Sequence, residues 1–250
     1  VCQSVGELFS CLPMNKVKLH TLWLLGMLFL MTACGDDDDY YYPSVKLEFV
    51  TVKAGADGLI QSLLPDKGEL LTVAKDRTGS TISPNSARRV ISNYEVNPED
   101  ATAVIYSLQS VVAPEPKGAD DPAFESGLKY DPVDVTSIWL GRDYLNMILN
   151  VKININSGKQ HVFGMIEESV EAEGDETVVT LSLFHDANGD EENYNRRAYI
   201  SVPLTKYVDE ENPHQTIRIK FKYHTTDKSG VVVESSKYCD PGFEYVPGVN

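Results

Sequence analysis

The sequence is short of cysteine, of positive charge and of helical periodicity, and each shortage excludes something. Only four cysteines occur in 250 residues, Cys2, Cys11, Cys34 and Cys239. None stand at CxxC spacing, which excludes a thiolate zinc module. Beyond residue 34 only Cys239 remains, so no intrachain disulfide framework can staple the rest of the chain, and an apolar core must hold it. Lysine and arginine number 22 against 37 acidic residues, a net charge of −15. With no basic cluster to offset that charge, phosphate backbones are repelled and nucleic acid is excluded as a partner. There is no Gly-x-Ser-x-Gly elbow, no Walker loop and no cysteine-hydrolase signature around Tyr238-Cys239-Asp240-Pro241. The residues therefore call for no cofactor and mark no catalytic group. What is present is a hydrophobic fraction of 42%, enough for a packed core.

The first 34 residues follow a different rule from the rest. Lys16 and Lys18 precede an apolar run from Leu22 to Met31, interrupted only by Gly26, and the small residues Thr32 and Ala33 lead into Cys34. This is the layout of a secretory signal peptide, and the run is too short for a transmembrane helix, which needs about 20 apolar residues. Met31-Thr32-Ala33-Cys34-Gly35 resembles the bacterial lipobox, with Met31 where leucine is usual. The chemistry requires a thiol at Cys34 because its sulfur receives diacylglycerol, and small residues before it let the peptidase grip an extended backbone. Two or more acyl chains make such an anchor durable. Residues 1–13 fit neither signal nor mature domain, and Met14 is the expected initiator. Asp36, Asp37, Asp38 and Asp39 follow at once, and this acidic run resembles the surface-export signal of Bacteroidetes lipoproteins. Residues 34–43 then form a lipidated, self-repelling tether ending in Tyr40, Tyr41 and Tyr42.

From residue 44 onward, period-two alternation replaces any helical pattern. Val45–Lys53, Leu59–Leu63, Leu70–Ala74, Arg89–Val96 and Ala101–Val111 read as five strands, the number in a small Greek-key barrel such as an OB-fold, spanning 44–112. Residues 113–128 begin Ala-Pro-Glu-Pro-Lys-Gly-Ala-Asp-Asp-Pro and read as a Pro-rich linker. Residues 129–250 hold about seven strands, the count of an antiparallel β-sandwich. Asp143–Asn156 is the clearest: Leu145, Met147, Leu149, Val151, Ile153 and Ile155 take the inward face, and Asn146, Asn150, Lys152, Asn154 and Asn156 the wet one. Thr216–His224 alternates as cleanly, and Val133–Leu140, Gln160–Ile166 and Val231–Glu234 supply further strands. Val178–His185 and Arg196–Leu204 flank Asn188-Gly189, a strong hairpin signal because both residues tolerate positive φ. The fold class is all-β.

Three segments carry a family resemblance: Arg89-Val90-Ile91-Ser92-Asn93-Tyr94, Ile138-Trp139-Leu140-Gly141-Arg142-Asp143-Tyr144-Leu145-Asn146, and Phe184-His185-Asp186. With them the chain resembles the NigD-like lipoproteins of Bacteroidetes, over nearly everything from the lipobox onward. The resemblance implies an N-terminal OB-like domain and a C-terminal β-sandwich, in agreement with the strand count. It also implies a bacteriocin-immunity role, and it carries over no catalytic residues.

Candidate site residues are few. Asp186, Asp190 and Glu192 look like the start of a calcium loop, but the sixth and twelfth places hold Glu191 and Arg197 instead of glycine and glutamate, so a hairpin turn is the better reading. His161, His185, His214 and His224 lack zinc spacing and read as structural, with His185 at the core rim. Trp139 and the tyrosines read either as core or as a ligand platform. The expected protein is thus a non-enzymatic binding module, anchored to the outer membrane through Cys34 and facing the cell surface, with an extracellular protein or glycan as partner. An accessory subunit of an outer-membrane assembly and a motif-free hydrolase are the alternatives. Replacing Cys34 with serine should abolish labelling by a palmitate analogue and release the chain from sedimented membranes. Label retained on the variant would remove the anchor.

Overall fold

Alternation of apolar and polar residues becomes thirteen strands in the computed structural model, which describes residues 45–174, 176–190 and 194–248. The first five are β1 (Val45–Ala54), β2 (Ile60–Pro65), β3 (Leu71–Asp76), β4 (Ala87–Asn97) and β5 (Thr102–Ser110). They close into a barrel in the order β1-β2-β3-β5-β4, with β3 and β5 parallel and the other pairs antiparallel. Closure removes every sheet edge, and the interior fills with Val50, Val52, Leu63, Val90, Tyr94 and Ile105. All five strands lie where the sequence places them.

The sandwich has a five-stranded sheet, in the order β13 (Val232–Tyr245), β12 (Ile217–Thr226), β10 (Glu176–Asp186), β9 (Val162–Glu173), β6 (Pro116–Gly118). It faces a three-stranded sheet in the order β11 (Tyr194–Pro203), β8 (Tyr144–Ile153), β7 (Asp134–Gly141). Leu145, Met147, Leu149 and Val151 of β8 meet Ile217, Ile219, Phe221 and Tyr223 of β12 in the core between the sheets, as the alternation predicts. On the outer face of β12, Lys222 pairs with Glu168 at 2.8 Å and Arg218 with Glu176 at 2.8 Å, so that face is wet and ion-paired. Ile155, expected to point inward, is 65% exposed, because β8 has ended at Ile153.

Four further expectations change. The five-stranded sheet is mixed, not purely antiparallel: β10 runs parallel to β12, and β6 parallel to β9. The Pro-rich stretch at 113–128 is no free linker. Residues 116–118 form an edge strand, where the missing N–H of Pro116 costs no ladder bond, and Phe124 is buried against Ile166 and Phe184. The Asn188-Gly189 turn forms as expected, with φ of 53° and 63° and the Asp190 N–H donating to the Ala187 carbonyl at 2.9 Å, but it closes no hairpin. Both edges of β10 are already occupied, by β9 and β12, so the chain crosses to the other sheet and β11 pairs with β8. The fourth change is the outer face of the three-stranded sheet. Asn146, predicted wet, is fully buried, because Ile148, Trp139 and Tyr199 pack on Phe49, Ile91 and Val111 of the barrel side.

Residues 44–250 accordingly form a single compact unit. Its two halves are locked by the buried guanidinium of Arg89 on β4. Nη2 donates to Asp66, and to Asn146 Oδ1 at 3.1 Å; Nε donates to Ser201 Oγ at 2.9 Å; the cation lies 4.2 Å from the centre of the Tyr144 ring. Ser201 Oγ donates to Asn146 Oδ1 at 2.6 Å, and Asn146 Nδ2 returns to Asp66 at 2.7 Å, closing the ring of bonds. Removing one partner of such a buried pair strands the other charge. Arg89→Ala should lower unfolding free energy by about 3–5 kcal/mol in urea titration. A loss no larger than that of an exposed substitution would show that the lock contributes little.

Candidate functional site

Two of the three segments that carry the resemblance, 89–94 and 138–146, converge on the joint. On β4 alternate residues face opposite ways: Val90 and Tyr94 enter the barrel core, while Arg89 and Ile91 face the sandwich. The β7–β8 turn supplies the other side. Gly141 is required there, because a Cβ would stand 2.2 Å from Asp66 Oδ2 and 2.5 Å from Asn146 Nδ2. Arg142 takes a left-handed φ of 48°, uncommon for a non-glycine residue. Its guanidinium offsets that cost by donating to the carbonyls of Pro65 at 3.2 Å and Gly68 at 2.7 Å, in the turn between β2 and β3. Asp143 accepts the Tyr245 hydroxyl at 2.9 Å, and Tyr144 lies under Arg89.

Beside this lock the two halves leave a cleft of about 490 Å³. Its floor is Phe49, Ile91, Ile148, Trp139 and Tyr199. Phe49 meets Trp139 edge-on at 5.3 Å and Tyr199 at 6.2 Å. Leu47, 69% exposed, stands at the mouth with Lys67, Gln109 and Arg197. Glu48 at the rim accepts the Tyr94 hydroxyl at 2.9 Å, and burial with that neighbouring carboxylate pushes the Tyr94 phenol above its ordinary range. An apolar aromatic floor with a polar rim is the form of a binding site. Trp139 and Tyr199 thus serve both readings: they pack the joint and line the cleft.

The histidines divide. His185 is buried, stacked on Phe163 at 4.7 Å, and its Nδ1 lies 2.9 Å from the Asp131 carbonyl. His161 Nδ1 lies 2.9 Å from His185 Nε2. His224 packs on the Tyr130 ring at 4.6 Å, and His214 lies 3.4 Å from the Pro247 carbonyl. The pairing of His161 with His185 had no signal in the sequence, since it depends on where β9 and β10 lie in register.

Of the acidic candidates, Asp186 accepts the Asn188 N–H at 2.7 Å and Asp190 accepts the Asn154 N–H at 2.9 Å. Both build the arch between β10 and β11, which explains the Asp-x-Asn-x-Asp spacing without a cation. Among the described residues no group of three or more acidic, His or Cys side chains is placed to hold a metal. Glu192, Cys34 and Asp36–Asp39 lie outside the described residues. Cys239 is half-buried, 3.6 Å from the Phe221 carbonyl, and burial pushes its thiol up, away from nucleophilic use.

Burial holds His185 below its ordinary value of 6.5, against the raising influence of Asp131 and Asp186 and with the lowering one of His161. The folded state therefore disfavours the imidazolium. Stability from His185 is complete above pH 6.5 and is lost as the pH falls through its folded value. Thermal unfolding followed from neutral to acid pH should show a steeper fall for the parent than for His185→Gln. Equal slopes would contradict the buried neutral imidazole.

Comparison with known proteins gives one consistent picture. The family described as the NigD-like N-terminal OB domain matches residues 49–111, and the NigD-like C-terminal beta sandwich domain matches residues 117–234. A NigD-like immunity protein from Bacteroides caccae ATCC 43185 is 70% identical, with a TM-score of 0.74, over 83% of this chain and 100% of that one. A protein from Parabacteroides distasonis ATCC 8503 is 17% identical with a TM-score of 0.61, covering 81% and 93% of the two chains. A protein of unknown function from Bacteroides vulgatus ATCC 8482 is 18% identical with a TM-score of 0.57, covering 83% and 96%. The last two share the fold alone. No curated protein matches.

Proposed function

The chain belongs to the NigD-like family, and from that premise we propose that it is an immunity-type binding protein, without catalytic activity, that holds its partner in the aromatic cleft between barrel and sandwich. The observation that carries the reading is the 70% identity to a NigD-like immunity protein along that protein's whole length. The cleft supports it with an apolar floor large enough for an anchoring side chain or a sugar ring, and with polar groups at its mouth. Lipid on Cys34 anchors the protein to the outer membrane, and Asp36–Asp39 direct it to the cell surface, where an extracellular protein or glycan reaches it first.

A pull-down of the intact protein from its native cells identifies the partner, and Trp139→Ala tests the cleft. Truncation of an aromatic anchor at the centre of an interface costs at least about 2 kcal/mol, some thirtyfold in affinity. Trp139→Ala should therefore weaken partner capture by that order while the thermal transition remains cooperative. Full capture by the variant would move the binding surface elsewhere. Lysate that cleaves the captured partner only when the intact protein is present would restore the hydrolase reading.

A further inference from the structure

Barrel closure removes a sheet edge only where strands pair, and β1 meets β2 only from Val50, opposite Pro65, to Ala54. Past Pro65 the chain leaves β1, and Asp66 turns to Arg89 and Asn146. Among the described residues, Val45–Phe49 therefore pair with β4 on one side and with no strand on the other. Register fixes where their backbone groups point. The Ala54 N–H donates to the Ser86 carbonyl next to β4, and β1 runs against β4 without a bulge from Lys53 back to Val45. Antiparallel strands exchange ladder bonds at alternate residues, so Val52, Val50, Glu48 and Lys46 bond to β4. Leu47 turns its N–H and C=O to the open side, where among the described residues neither has a backbone partner.

This open edge runs along the aromatic cleft. Leu47 and Phe49 point to the outer face of the barrel, where Phe49 stands beside Ile91. Glu48 points to the opposite face, where it accepts the Tyr94 hydroxyl at 2.9 Å. Residues from both faces of β1 nevertheless line the cleft, as does Lys67, just past the point where β2 departs. The cleft thus follows the edge of the strand as well as its face. Leu47 keeps 69% of its surface in water, and an open edge that carries an exposed apolar side chain is a ready template for another strand.

Resting on the reading that this cleft holds the partner, we propose that it takes an extended polypeptide strand, which adds to β1 at Leu47 and seats a large apolar side chain on the aromatic floor. The open backbone N–H and C=O select a peptide over a glycan, because a sugar offers no row of amides at ladder spacing. A strand that continues the track of β2 runs antiparallel to β1. The residue opposite Leu47 then exchanges both ladder bonds with it and points its side chain over the same face, toward Phe49 and Trp139. The preferred strand alternates apolar, polar, apolar.

The probe is the capped peptide acetyl-Thr-Trp-Thr-Val-Thr-amide, titrated into the full chain while the Leu47 amide is followed by NMR and hydrogen exchange. It should shift that resonance saturably and slow its exchange about tenfold or more. The same peptide N-methylated at Trp and Val keeps the side chains and loses the donors, and it should bind about tenfold more weakly, the scale of one or two net hydrogen bonds. Leu47→Pro removes the N–H on the open side and no ladder bond to β4, and it should weaken the parent peptide to a similar degree. Leu47→Ala keeps the N–H and should weaken it less. If Leu47→Pro unfolds, the N-methylated peptide decides. Equal binding of the two peptides, no saturable shift, binding of maltohexaose in place of the peptide, or slowed exchange at Leu47 through self-association alone would each overturn strand addition. Trp139→Ala separates this from the cleft reading. Loss of partner capture in that variant, together with equal binding of the two peptides, keeps the cleft and removes the strand, whereas full capture moves the binding surface itself.

Discussion

One buried cation organises this protein. The Arg89 guanidinium sits between barrel and sandwich, and its bonds to Asp66, Asn146 and Ser201 span three strands or turns far apart in sequence. A charge so enclosed is tolerable only when every donor is matched, and the matching partners must reach it from both halves. That requirement explains several otherwise odd features at once. Gly141 clears space for Asp66 beside Asn146, Arg142 accepts a left-handed backbone in return for two carbonyls, and Tyr144 presents its ring face to the cation. The segment from Trp139 to Asn146 is therefore less a strand end than a clamp.

Because the clamp holds the halves together, the cleft beside it has fixed walls. Its aromatic floor is shared by β1, β4, β7, β8 and β11, so neither half alone presents it. A surface assembled across a rigid joint is pre-organised for a partner, which lowers the ordering cost of binding. The proposed binding role then has a physical place in the molecule: the joint carries both the buried Arg89 lock and an apolar aromatic cleft. The pairing of His161 with His185 depends on different physics, the register of β9 against β10.

Much of this was legible in the chain itself. Leu145, Met147, Leu149 and Val151 announce an inward face, as do Ile217, Ile219, Phe221 and Tyr223, because a half-buried strand must alternate. The barrel strands and the all-β class follow from the same rule. The departures from these rules share one cause. Periodicity reports which face of a strand is apolar, and it is silent on what covers the other face. Asn146 looked wet because asparagine usually is, yet it lies at the centre of the lock. Asn188-Gly189 gave the correct turn and the wrong partner, since turn chemistry cannot know that both edges of β10 are taken.

Local rules acting within a few residues were thus set by the sequence alone: strand positions, inward faces, the left-handed turn at 188–189 and the excess of acid over base. Long-range choices were decided only in the folded chain. The parallel pairing of β10 with β12, the docking of barrel on sandwich, and the meetings of Arg89 with Asn146 and of His161 with His185 join residues from 24 to more than 100 positions apart. Such contacts depend on satisfying buried polar groups and filling shared volume across many elements together. No window of sequence short enough to show a period contains that information.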